Sequence, residues 1–137
     1  MKCYRRAYDL YERFVEAAEA AGRNGLERGF FGLHLNVQAQ VAGLAPLAPL
    51  TGLEALPKRA RGELKRRSED LGRRFEGFAR EGIDDGSLRS FDVRPVATGG
   101  AGTFAWIPKW LPDDDPRPPR SIADEIVALF ARGLRRR

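Results

Sequence analysis

The fold class is set by the first stretch of the chain, residues 1–21, which reads MKCYRRAYDLYERFVEAAEAA. Its apolar side chains recur at steps of four and three residues, and this spacing places them on one face of an α-helix. The residues of this stripe are Tyr4, Tyr8, Tyr11, Val15 and Ala18. Gly22 and the Asn24-Gly25 pair follow, and residues of these types commonly end helices. The stretch therefore predicts an amphipathic helix that buries one face against other helices.

The same period predicts two more long helices downstream. One runs over about residues 25–42, and the next begins at Leu56 or Pro57 and continues to Gly82. The Asp84–Ser87 segment then predicts a turn. Three prolines interrupt the apolar stretch at residues 44–56 and its end, which predicts a loop with a short helical turn.

Two further helices are predicted in the last third of the chain. The fourth helix is expected to start at Asp92 as its N-cap and to kink or end at Pro108. The last helix is expected to have Ser121 as its cap and to continue to Leu134. Because no segment alternates with a period of two, no strand is predicted. The sequence therefore predicts one all-α domain over residues 1–137, an antiparallel bundle of about five main helices.

Composition narrows the possible environments and partners. Cys3 is the only cysteine, which excludes an internal disulfide and a thiolate metal site and fits a reducing cytoplasm. No secretory signal and no uninterrupted apolar run of about 18 residues is present, so we expect a cytoplasmic protein without a membrane segment. No spacing typical of a metal, phosphate or cofactor site is found, and no cofactor is expected.

The charge distribution leaves two interpretations open. Residues 58–81 hold nine basic and five acidic side chains, a net charge of +4 out of +5 for the whole chain. Interleaved charges of both signs are typical of the solvated face of a helix. A basic face of this kind also attracts nucleic acid non-specifically.

The order of elements resembles the C-terminal half of TetR-type transcriptional regulators. The resemblance lies in GSLR at residues 86–89, GTFAWIPKW at residues 102–110, SIADEI at residues 121–126 and RGL at residues 132–134. The opening segment, from CYRR at residues 3–6 to AAG at residues 20–22, is similar to the helix that links the two domains in that family. The helix-turn-helix domain that precedes this helix in the family does not occur ahead of Met1 in the given sequence, and we expect a truncated or misassigned start.

The resemblance implies a bacterial ligand-sensing domain that controls DNA binding. The helices before the last two are expected to enclose an apolar cavity for a small-molecule effector, whose binding shifts the linking helix. Candidate ligand contacts are the polar His34 and large apolar side chains. The candidate set is Phe30, His34, Val37, Phe75, Phe78, Phe104 and Trp106. Ordinary core packing explains the aromatic residues equally well, and His34 also fits a half-buried histidine with one hydrogen bond. Tyr4, Tyr8 and Tyr11 fit either the mouth of the cavity or a helix seam.

The resemblance also implies a homodimer in which the last two long helices pair with their copies. The candidate interface residues are Val96, Gly100, Ile107, Trp110, Ile122, Ile126 and Leu129. Gly99, Gly100 and Gly102 lie close together on the first of these helices and cost it about 3 kcal/mol relative to alanine. They either permit close helix contact across the dimer or leave the helix frayed.

Other functions have less support in the sequence. A free-standing helical dimerisation protein, or a fragment without DNA binding, is the alternative to the regulator. Enzyme activity is not expected, because no acid–base pair or nucleophile motif is evident and His34 lacks a catalytic partner.

Overall fold

The computed structural model describes the backbone of residues 2–42, 55–105, 107–112 and 114–137. The helices within these ranges are α1 (Lys2–Ala21), α2 (Gly25–Val41), α3 (Lys58–Asp85), α4 (Val93–Ala105), α5 (Ile107–Trp110) and α6 (Pro119–Leu134). An isolated antiparallel bridge joins Leu88 to Arg135. The all-α prediction is confirmed. The predicted loop at residues 44–56 lies, up to residue 54, outside the described residues.

Helix α2 is the centre of the bundle, since it packs against α1, α3 and α6. Ion pairs show that α1 and α3 run parallel, because residue numbers rise together along both helices. Arg5 pairs with Glu63 at 2.9 Å, and Arg74 pairs with Glu19 at 2.9 Å. Helix α2 runs back between them, with its start beside the end of α3 and its end beside the start of α1.

The start of α2 is fixed by three side chains that accept hydrogen bonds from its free backbone N–H groups. The N–H of Glu27 donates to Asn24 Oδ1 at 2.8 Å, and the N–H of Gly25 donates to Asp85 Oδ2 at 2.8 Å. The N–H of Leu26 donates to Ser87 Oγ at 3.1 Å. Because unpaired N–H groups at a helix start are costly, these contacts stabilise the start of α2, and those to Asp85 and Ser87 join it to the end of α3 and the residues that follow.

Two glycines allow α2 and α3 to approach closely. A Cβ atom added to Gly25 would overlap the backbone nitrogen of Gly82. A Cβ added to Gly82 would lie 2.5 Å from Leu88 Cδ1. The crossing of the two helices therefore has no room for a side chain at either position.

Three predicted helix ends are wrong by a few residues. Helix α3 continues through Asp84 to Asp85, and the residue after it, Gly86, has a left-handed φ of 84°, which suits glycine. Helix α6 begins at Pro119 instead of after Ser121, since a proline in the first turn has no N–H to satisfy and a fixed, helix-compatible φ. The interruption near Pro108 comes before this residue, which lies in the first turn of α5.

Two apolar clusters lie on different faces of α2 and hold the helices together. The first joins Ala39 to Ala7 and Tyr11 of α1. The second joins Val37 to Ile107 of α5 and Ala123 of α6. Helix α2 is thus buried on two sides, and a space remains between it, α3 and α4.

Candidate functional site

A cavity of about 520 Å³ occupies this space. Helices α1, α2, α3, α4 and α6 contribute to its lining, and the segment between α3 and α4 adds Leu88 and Phe91. Its aromatic lining consists of Tyr8, Tyr11, Phe30, Phe75, Phe91 and Phe130. The cavity is therefore wider than the predicted space among the first three long helices, because α4 and α6 also line it.

The aromatic walls are packed in edge-to-face pairs. The ring centroids of Tyr8 and Tyr11 are 6.1 Å apart, and those of Phe75 and Phe78 are 5.9 Å apart. Such pairs are rigid, apolar surfaces. Burial raises the pKa of the Tyr11 phenol well above its usual range, so this group remains protonated and neutral at the cavity wall.

Two amide side chains of α2 lie in the lining, one helical turn apart. These are Asn36 and Gln40, and Gln40 is 6% exposed. The Oδ1 atom of Asn36 and the Oε1 atom of Gln40 are buried and accept no hydrogen bond from the residues that the structure describes. Because buried polar atoms are nearly always paired, two unpaired oxygens on one helix are unusual.

The lining holds two acidic side chains, of which Glu69 is exposed and Glu76 pairs with Arg80 at 3.9 Å. No arginine, lysine or histidine is found among its described residues. Arg67 lies nearby, with its guanidinium carbon 5.6 Å from the centre of the Tyr8 ring. Its guanidinium forms ion pairs with Asp9 at 2.6 Å and with Glu12 at 2.9 Å.

A smaller depression of about 280 Å³ lies between α1 and α2. It is lined by three alanines of α1 together with Phe31, His34 and Leu35. The Nε2 atom of His34 is 2.6 Å from Asp124 Oδ1, which links α2 to α6. The histidine thus has a structural partner.

The structure brings together only part of the predicted ligand set. Phe30 and Phe75 line the large cavity, whereas His34 borders the smaller depression. Val37 is fully buried in the second core cluster, and Phe78 is buried beside Phe75. The side chains of Phe104 and Trp106 lie outside the described residues.

The predicted interface residues are likewise divided. Trp110 is 53% exposed and Leu129 is 71% exposed, so both are available to a partner. Four others contribute to the interior of the single chain. Val96 and Gly100 line the cavity, and Ile107 and Ile122 are buried. Ile126 packs against the second cluster.

Asn36 and Gln40 were missed by the sequence analysis, although a signal was present. They are spaced by four residues and flank the apolar positions Leu33, Val37 and Val41 of α2. Two amides on the apolar side of a buried helix are unusual, because side chains of this type are mostly exposed.

Much of the charge on α3 is neutralised within the chain. Arg67 and Arg74 pair with carboxylates of α1, and Arg73 and Arg80 pair with Asp70 and Glu76 of α3 itself. The geometry thus favours the solvated-face interpretation of this helix over a surface for nucleic acid.

The comparisons with known proteins identify the class. The model of the tetracyclin repressor-like C-terminal domain family matches residues 34–134, and the chain belongs to this family. The family consists of domains of transcriptional regulators. No curated protein matches the sequence. A bilayer-spanning segment is not found among the described helices.

Solved structures of TetR-type regulators share the fold. The ketosteroid transcriptional regulator KstR2 of Mycobacterium tuberculosis matches with a TM-score of 0.86 and 17% identity, over 98% of this chain and 70% of that chain. PfmR from Thermus thermophilus matches with a TM-score of 0.78 and 18% identity, over 98% and 75%. AibR, in complex with isovaleryl coenzyme A and operator DNA, matches with a TM-score of 0.78 and 22% identity, over 93% and 70%.

Proposed function

We propose that this chain is the effector-sensing and dimerisation domain of a TetR-type transcriptional regulator. It binds an apolar small molecule in the large cavity and thereby controls DNA binding by a helix-turn-helix domain that lies outside residues 1–137. The family membership supports the class of function, and the cavity supports the ligand.

The observation that carries the proposal is the cavity itself. Its volume of about 520 Å³ falls within the range of small-molecule sites. Its walls are mainly apolar and aromatic, and a few polar groups lie among them, which is the usual composition of such a site.

Helix α1 gives the ligand a route to the DNA-binding domain. Tyr8 and Tyr11 of α1 are part of the lining, so a bound molecule contacts this helix directly. The segment that forms α1 resembles the helix that links the two domains in TetR-type regulators. An effector that fits one position of α1 better than another shifts the population toward that position.

The exposed apolar residues near the end of the chain support a homodimer. Trp110 and Leu129 are large side chains in contact with solvent, and such residues often mark protein interfaces. On α4, a Cβ atom added to Gly99 or Gly102 meets no atom within 4 Å, so this face leaves room for close helix contact. The same features favour the second candidate, a helical dimerisation protein without an effector.

Binding of the neutral fluorescent probe N-phenyl-1-naphthylamine tests the proposal. The wild-type chain is expected to bind the probe with enhanced, saturable fluorescence. Ala79→Phe fills the cavity, since Ala79 belongs to its lining, and binding is expected to fall at least about tenfold.

Ala20→Phe is the matched control, because Ala20 is an exposed residue of α1 away from the lining. Circular dichroism establishes that both variants are folded. If the folded Ala79→Phe variant binds the probe as tightly as the wild type, the cavity is not the ligand site. A dimer that binds no probe supports the second candidate.

A further inference from the structure

The exposed part of the cavity wall indicates how a ligand reaches the interior of the bundle. We propose that the effector enters and leaves the large cavity between α3 and α4, past Gly72 and Thr98. This inference rests on the proposed function, because it assigns a route to the ligand of the same cavity.

The exposed residues of the described lining all lie on α3 and α4. They are Ser68, Glu69 and Gly72 of α3 and Thr98 of α4. The residues that α1, α2 and α6 contribute to the described lining are buried or half-buried. A residue that borders the cavity and is also exposed to solvent lies at the edge of an opening, so the cavity reaches the surface between α3 and α4.

Gly72 shows that the α3 edge of this opening has free space. A Cβ atom added to Gly72 meets no atom within 4 Å, although this residue belongs to the cavity lining. Nearer the end of α3, in contrast, a Cβ added to Gly82 would lie 2.5 Å from Leu88 Cδ1. Helix α3 is therefore closely packed near its end and has open space beside it at its middle.

Helix α4 becomes more exposed along its length from the point where it follows α3. Its first residue, Val93, is buried, Val96 is half-buried and Thr98 is exposed. Gly100 belongs to the lining and has no side chain that could fill the space beside it. The two helices are thus joined by residues 86–92 at one end and leave an opening farther along α4.

Contacts close the cavity on three of its other sides. Between α1 and α3, Arg67 pairs with Glu12 at 2.9 Å. At the end of the bundle, the backbone N–H of Arg89 donates to the carbonyl oxygen of Leu134 at 2.9 Å. Between α2 and α6, the second core cluster fills the space. Entry on these sides would break an ion pair, a backbone hydrogen bond or core contacts, whereas entry past Gly72 displaces water from an exposed edge.

Stopped-flow fluorescence of N-phenyl-1-naphthylamine binding to the full chain measures the rates of entry and exit. Gly72→Trp adds a large side chain at the edge of the opening, where an added Cβ meets no atom within 4 Å. We expect the association and dissociation rate constants to fall together by at least about fivefold, because a narrower entrance raises the barrier in both directions. Their ratio, the dissociation constant, is expected to change by less than about twofold.

Gly77→Trp is the matched control on α3. Gly77 is exposed, and a Cβ added to it also meets no atom within 4 Å, but this residue lies outside the cavity lining. Both rate constants are expected to keep their wild-type values in this variant. Ala79→Phe gives the opposite pattern, because filling the interior weakens binding at equilibrium.

Circular dichroism establishes that the variants are folded. If Gly72→Trp does not fold, Ser68→Trp tests the same edge one helical turn earlier, with the same expected result. Wild-type rate constants in the folded variant overturn this route, and so does equal slowing by Gly77→Trp. Weaker equilibrium binding without slower association also overturns it, because Gly72 would then contact the bound ligand instead of its path.

The experiment separates the route from the proposed function. In each of the outcomes that overturn the route, the wild-type chain still binds the fluorescent probe, and the proposed function remains. If the wild-type chain does not bind the probe, the proposed function and this inference fail together.

Discussion

Single glycines decide how the bundle closes. Gly25 and Gly82 face each other where α2 crosses α3, with no space for a side chain. The sequence identified Gly25 correctly as the place where one helix ends and the next begins. It gave no indication of the contact with Gly82, because the two residues are far apart in the chain and closeness of backbones leaves no periodic signal.

Substitution of these glycines is expected to have opposite effects at crowded and open positions. Gly25→Ala forces the two backbones apart and should lower the free energy of unfolding by about 1–3 kcal/mol, as overpacking does. Gly77→Ala on the same pair of helices meets nothing within 4 Å and should raise it by up to about 1 kcal/mol. Urea denaturation followed by circular dichroism measures both. Equal effects of the two substitutions would contradict the close crossing.

The buried amides illustrate a second limit of sequence analysis at the residue scale. The period of α2 places Asn36 and Gln40 beside apolar positions, but it does not reveal whether a neighbouring helix supplies a donor. That depends on the tertiary arrangement of α1, α3 and α4 around them. The aromatic residues Phe30 and Phe75 were easier to place, because large apolar side chains on these helices must face the interior.

At the scale of elements, helix ends depend on contacts between distant segments. The start of α2 was predicted at about Gly25, and the structure shows Asn24, Asp85 and Ser87 as acceptors for its N–H groups. Local sequence rules apply to a nearby cap such as Asn24, but they do not identify the distant acceptors Asp85 and Ser87. The same limitation explains why α3 was predicted to end at Gly82, although Asp85 is its last residue.

The cap from Asp85 predicts a pH dependence of stability. Hydrogen bonds from Ser87 and from the Gly25 N–H lower the pKa of Asp85 below its usual value of 3.8. A lowered folded-state pKa means that the carboxylate stabilises the fold above the unfolded-state pKa, and this contribution is lost as the pH falls through the folded value. We therefore expect the wild type to be more stable than Asp85→Asn at pH 7 and to lose this advantage below about pH 4.

Urea midpoints for both proteins at pH 7, 5 and 3 measure this difference. Asp84→Asn is the matched control, because Asp84 is exposed and has no hydrogen bond to α2 among the described contacts. Comparison of variants at each pH removes the effect of the other carboxylates. A difference between wild type and Asp85→Asn that is constant with pH would show that the charge of Asp85 does not contribute.

On the scale of the whole molecule, the order of the helices along the chain was predictable. Which helix surfaces are buried, which line the cavity and which are exposed was not. Amphipathic periods and turn residues were sufficient for the all-α bundle, since they are local properties. The division between core, cavity and interface depends on which helices face each other. Ile107 of α5 and Ile122 of α6 belong to the same apolar periods as exposed residues, yet they are buried within the chain. Leu129, which lies on α6 with Ile122, is exposed.

This difference along α6 leads to a test of the dimer. Leu129 is 71% exposed in the single chain, so a large loss of solvent contact there requires a second molecule. We expect a homodimer of the 15.3 kDa chain by sedimentation equilibrium, and Leu129→Glu should weaken it at least about tenfold by placing a charge in the interface. Phe31→Glu removes another exposed apolar side chain, on α2, and should leave the dimer intact. A monomeric wild type would exclude the dimer, and dissociation by Phe31→Glu alone would move the interface from α6 to α2.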